Sequence, residues 1–212
     1  MKTIAIGPFI IYSWEVNSSN EFNFLMVDRQ SGYAAIFDFS IILSTEQIQQ
    51  FQNSVLSIIK SQDYSLQWWF SSHPINKENI IIEQCSDVIL AMSDKHKAMK
   101  LEDNQSIDYF YTQDEIITLG NQALNILYTS TSYEIIWSEP LLLMLQVKVN
   151  DQPVKVNDQP VKDNGQQATV NHTSEPINSS KIREILSKLP NYSEVLSNTT
   201  DCKQPFRLCD LQ

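Results

Sequence analysis

His73 is the residue of this chain best placed to do chemistry. It stands in Ser71-Ser-His-Pro74, behind an apolar run carrying Trp68 and Trp69. A histidine there could exchange a proton with a ligand in a pocket walled by the two indoles; the plainer reading is a loop histidine beside a strand whose tryptophans pack in the core. Cys85 lies between Glu83 and Asp87. Neighbouring carboxylates raise a thiol's pKa and disfavour the nucleophilic thiolate, so a core cysteine is expected. His96, in Asp94-Lys-His-Lys97, reads as part of a solvated face, and His172 lies far in sequence from other possible ligands. Cys202 and Cys209 flank Pro205 and could close a small redox-sensitive loop, a chemistry uncommon in reducing compartments.

Several chemistries are absent by pattern. Four glycines, Gly7, Gly32, Gly120 and Gly165, leave no phosphate-cradling loop and no dinucleotide fingerprint. No His-Glu-x-x-His, Gly-x-Ser-x-Gly or acidic calcium loop occurs either, so no cofactor and no metal are expected.

The elements that would position His73 follow from periodicity. Thr3–Tyr12 reads as a first strand broken at Gly7-Pro8 rather than a secretory leader, since no small-residue cleavage site follows. Phe22–Val27 and Tyr33–Phe39 alternate with period two across the turn Asp28–Gly32, which predicts a hairpin. Ser44-Thr-Glu-Gln47 has the form of a capping box. Behind it Ile48, Phe51, Val55, Ile58 and Ile59 make one helical stripe. Leu66–Phe70 resumes strand character, and the continuous apolar runs within residues 78–92 are read as two further strands. Thr112-Gln-Asp-Glu115 repeats the capping-box form and predicts a second helix bearing Ile116, Leu119, Ala123, Leu124 and Leu127. Tyr133–Trp137 and Leu141–Val149 then form a hairpin.

These elements predict an α+β fold: a mainly antiparallel sheet with two principal helices packed on one face. Residues 1–146 form an acidic globular domain, carrying 7 Lys and Arg against 17 Asp and Glu, so the whole formal charge of −10 sits there. Such a surface repels phosphate backbones and argues against nucleic-acid binding. No apolar run is long enough to span a bilayer, so no membrane insertion is expected. Residues 147–179 open with a tandem heptad, Val-Lys-Val-Asn-Asp-Gln-Pro, whose prolines bar a helix and whose composition suits a disordered, flexible linker. Residues 180–212 form a tail with a short amphipathic helix, Ser180–Leu189, stopped by Pro190.

A helix that short is marginal alone and needs a surface to cover. The first functional expectation is therefore a non-enzymatic adaptor whose Ile182, Ile185, Leu186 and Leu189 dock on a protein partner or on the chain's own domain. The alternative is a cofactor-independent enzyme or small-molecule-binding domain with a pocket near Trp68, Trp69 and His73. An odd cysteine count without Cys-x-x-Cys suits a reduced, cytoplasmic setting.

Overall fold

The structure, a computed structural model of the chain, describes residues 1–16, 21–38, 45–98, 101–130, 133–146, 180–190, 193–197 and 206–207. Period-two alternation builds its first sheet. Gly7, at φ 52°, turns β1 (Lys2–Ile6) into β2 (Phe9–Val16), and Gly32, at φ 74°, serves the turn between β3 (Glu21–Asp28) and β4 (Tyr33–Asp38). These four strands pair antiparallel in sequence order. The chain then crosses back through α1 (Thr45–Gln62), so β5 (Ser65–Ser71) lies parallel to β4.

Asn79 caps the next helix, α2 (Ile80–Gln84), by accepting a hydrogen bond from the Ile81 amide at 2.9 Å. Residues 80–82, expected as a strand, are therefore helical. That cap, together with the return path needed to bring β7 (Ile89–Ser93) parallel to β5, decides the ambiguous apolar run. Between them the short β6 (Ile75–Asn76) pairs with β8 (Gln105–Ser106), and β9 (Tyr109–Tyr111) closes the first sheet, parallel to β7.

The second predicted helix is a hairpin instead. Residues 116–127 form β10 (Ile116–Leu119) and the greater part of β11 (Gln122–Thr129), joined at Gly120-Asn121. Glu115 does accept hydrogen bonds from the Thr112 amide (2.7 Å) and hydroxyl (3.2 Å), so the reach-back half of the capping box forms. Asp114 nevertheless takes φ 64°, Gly120 takes φ 56°, and burial alternates: Ile117, Leu119, Leu124 and Ile126 are buried while Ile116 is 63% exposed. Two-residue periodicity wins because the partner surface is another sheet, not a helix face.

β12 (Tyr133–Ser138) and β13 (Leu141–Gln146) continue this second sheet antiparallel. The C-terminal segment completes it: after α3 (Ser180–Ser187), β14 (Glu194–Ser197) pairs parallel with β13, and β15 (Phe206–Arg207) pairs with β14.

The layers run helix, sheet, sheet, helix. The two sheets bury Phe9, Phe37, Phe70 and Tyr111 against Ile117, Ile136, Leu143 and Leu196. The outer face of the first sheet takes Phe51, Val55 and Ile59 of α1 and Ile81 of α2. The outer face of the second takes Ile182 of α3, with Ile185, Leu186 and Leu189 packed beside it. The expectation of one antiparallel sheet with two helices on one face is thus corrected to a sandwich of two mixed sheets. Local periodicity carries no information about parallel crossovers, which depend on distant partners. The repeat stretch, residues 147–179, lies outside the described residues.

One latch ties the sheets together at the turn end. Asp28 accepts from the Ser31 hydroxyl (2.5 Å), the Asn121 amide (3.0 Å), the Gln30 amide (3.2 Å) and the Gln122 side chain (3.4 Å). Burial opposes its ionisation, yet those bonds together hold its carboxyl below the ordinary range. A Cβ on Gly120 would lie 1.9 Å from the Ser31 hydroxyl and 2.7 Å from the Asp28 carboxylate. Gly120→Ala is therefore expected to cost about 2 kcal/mol from backbone strain and the displaced latch, read as a lower urea midpoint.

Candidate functional site

Parallel strands end together, and here their C-terminal ends gather polar groups. Asp38 closes β4 and pairs in register with Ser71, which closes β5. Both side chains are buried. Asn23, in the middle of β3, donates its side-chain amide to Asp38 Oδ1 at 2.9 Å and fixes the carboxylate from beneath. The Ser71 hydroxyl accepts from the His73 amide (3.2 Å) and donates to the His73 carbonyl (2.8 Å), locking the loop that carries the imidazole. His73 Nδ1 lies 3.4 Å from that hydroxyl, and Nε2 lies 4.0 Å from Asp38 Oδ2. Ser71 is positioned as a loop clamp. Its proton is spent on a carbonyl, so it is not an exposed nucleophile.

Around this pair a recess of about 280 Å³ opens on the helix side of the sheet. Phe51 and Gln52 of α1 form one wall, Trp69 of β5 the floor, and Asn79 of the α2 cap the far side. The His73 side chain is 42% exposed and that of Asp38 only 11%, so the imidazole meets solvent while the carboxylate sits behind it.

The two tryptophans separate. Trp69 reaches the recess, but Trp68 points between the sheets, where its Nε1 donates to the Thr118 carbonyl at 2.8 Å and its ring meets Phe70 and Tyr109. Successive strand residues face opposite sides, so a neighbouring pair cannot wall one pocket. The groups missed from sequence are Asp38, Asn23, Gln52 and Asn79. Asp38 had one visible signal, a carboxylate inside an otherwise apolar alternating strand.

The other sequence candidates fall elsewhere. Cys85 is partly buried beside α2, and burial raises its thiol pKa despite Lys60 nearby. His96, expected on a solvated face, is buried, and burial followed by the Lys95 charge lowers its pKa. Its short helical turn, Asp94–His96, folds the ring inward. His172, Cys202 and Cys209 lie outside the described residues. Ile182, Ile185, Leu186 and Leu189 pack on the second sheet with Tyr128, Tyr133, Leu142 and Val195.

A second titratable pair, not foreseen from sequence, is enclosed between the sheets. The Tyr111 hydroxyl donates to Glu134 Oε2, and both residues are buried. Burial pushes the Glu134 carboxyl up to about 8; the Tyr111 bond and Lys95 pull it down, and Asp94 raises it. Lys95 is held by the Thr129 carbonyl.

Neither a protein-family model nor a curated protein sequence matches the chain. Solved structures do. The fold is similar to ETHE1 from Myxococcus xanthus (TM-score 0.58, 11% identity, 94% of this chain and 80% of that one). It is similar also to a metallo-beta-lactamase from Staphylococcus aureus subsp. aureus COL (0.60, 11%, 96% of this chain and 62% of that one). A metallo-beta-lactamase from Pontibacter korlensis gives 0.52 and 11%, over 92% and 89%. At such identities the likeness concerns the fold: the chain has the two-sheet sandwich of the metallo-beta-lactamases.

The metallo-beta-lactamase names imply a metal, and the described residues do not fit one. Among the described residues no three His, Cys, Asp or Glu side chains converge on a common point. The recess offers one imidazole and one carboxylate, whereas a catalytic zinc takes three protein ligands.

The expected non-enzymatic adaptor is overturned by an architecture shared with enzymes; its stripe of Ile182, Ile185, Leu186 and Leu189 lies on the chain's own second sheet, one of the two docking surfaces expected. No helix among the described residues is long and apolar enough to cross a membrane.

Proposed function

We propose that the chain is an enzyme acting on a small molecule bound in the Asp38–His73 recess, with His73 as general acid–base for hydrolysis of an ester or amide. One observation carries this reading: a solvent-facing imidazole stands 4.0 Å from a buried, amide-anchored carboxylate at the ends of parallel strands. At 4.0 Å Nε2 makes no hydrogen bond to Asp38, so it can take a proton from a water attacking the bound carbonyl. The imidazolium so formed is stabilised by the carboxylate behind it, and the proton then passes to the leaving group. Trp69, Phe51 and Asn79 hold the substrate. Similarity to ETHE1 and to lactamases supports an enzyme over an adaptor.

The acidic surface, net −10, suits a small-molecule ligand rather than nucleic acid, and the cysteine pattern suits a reduced cytoplasmic compartment. A panel of chromogenic esters and amides tests the assignment. Wild-type protein is expected to turn over at least one member, and His73→Ala to lose about 10²–10⁴ in kcat with little change in thermal midpoint. Equal turnover by the two proteins would remove His73 from the chemistry.

A further inference from the structure

We propose that the recess reads a neutral carboxamide on its ligand, a ring with a short arm whose C=O and N–H edge pairs with the side-chain amide of Gln52. This rests on the recess being the ligand site. Gln52 sits on the side of α1 that carries Phe51 and Val55 toward the first sheet, and it is only 8% exposed. It lines the recess, and its amide has no hydrogen-bond partner among the described residues. A nearly buried carboxamide without partners costs free energy and is uncommon in folded chains.

The group that would satisfy it follows from its chemistry. A carboxamide holds one acceptor oxygen and two N–H donors, so its complement carries an acceptor and a donor on one edge. A primary amide has that edge, and two such groups join through a pair of N–H···O=C bonds. A ketone, an ester or a carboxylate would answer the Gln52 NH2 group and leave its oxygen without a donor.

The rest of the lining agrees with such a ligand. Asn79 offers donors only: its side-chain oxygen accepts from the Ile81 amide at 2.9 Å, which leaves the NH2 group for a ligand oxygen. Phe51 and Trp69 supply aromatic surface for a ring, and about 280 Å³ holds one ring with a short arm. The paired amide is a handle for binding; the bond on which His73 acts is a separate one.

Two unreactive probes of matched shape isolate the N–H: 3-phenylpropionamide, and 4-phenylbutan-2-one, in which a methyl group replaces the NH2, each titrated by calorimetry into the full chain. The amide is expected to bind at least about tenfold more tightly than the ketone. Gln52→Met, similar in length and with neither N–H nor carbonyl on its side chain, is expected to shrink that ratio to about twofold. Should that variant fail to fold, the wild-type ratio alone decides. Equal or tighter binding of the ketone overturns the proposal, as does undetectable binding of both, or a preference that survives in a folded Gln52→Met protein. Amide-selective binding without turnover of any chromogenic ester or amide would leave the ligand class standing and remove the hydrolytic reading. Turnover without amide selectivity would do the opposite.

Discussion

Val195→Asp is expected to unfold the chain. Val195 is fully buried in β14, paired with Leu142 of β13 and packed among Tyr133, Ile135 and Ile182. An unpaired carboxylate there costs about 4 kcal/mol or more, a large part of the 5–15 kcal/mol that holds a typical domain together. Arg183→Asp, on the exposed side of α3, changes the charge further but is expected to leave the melting midpoint within about 2 °C. The contrast separates an integral C-terminal segment from a tether, because a tethered tail would tolerate both changes equally. A Val195→Asp protein that melts like wild type would detach β14 from the second sheet and reopen the adaptor reading.

The second large effect concerns Glu134 and runs with pH. Its carboxyl titrates near 4.5 in the unfolded chain and at about 8 in the fold, chiefly through burial. Below pH 4.5 both states hold the proton and stability is complete. From 4.5 to 8 the unfolded chain releases the proton while the folded chain keeps it. Stability therefore falls as pH rises and levels off above 8. The loss from this one group is on the order of 5 kcal/mol across that window. Glu134→Gln keeps an acceptor for the Tyr111 hydroxyl and carries no titrating proton. Urea unfolding at about pH 5 and about pH 9 is expected to show a wild-type loss several kcal/mol larger than that of the variant. Equal losses would place the Glu134 titration back in the ordinary carboxylate range.

Legibility from sequence followed the range of the interactions. The β3–β4 hairpin could be read because its turn and alternation are local, and α1 because Phe51, Val55 and Ile59 repeat at helical spacing. Residues 112–129 could not. The Thr112–Glu115 bonds that suggest a helix start are present, and only the facing sheet turns the apolar residues after them to period two. Ile80–Ile82 was likewise decided by a cap and a crossover. His73 was visible as a lone histidine at a strand end, whereas Asp38, more than 30 residues earlier in the chain, becomes its partner only when β4 and β5 align in parallel. The alternation that hides Trp68 between the sheets and presents Trp69 to the recess was in the sequence all along; what was missing was which face held the helix.

The central claim is that ligands meet the chain at His73. The chain has three histidines, so side-chain nitrogen-15 NMR resolves them, and His73→Ala assigns the signal. On titration with the unreactive amide 3-phenylpropionamide, the His73 imidazole nitrogens are expected to shift with saturation while the buried His96 stays fixed. Saturable binding of that probe with an unmoved His73 signal would contradict it.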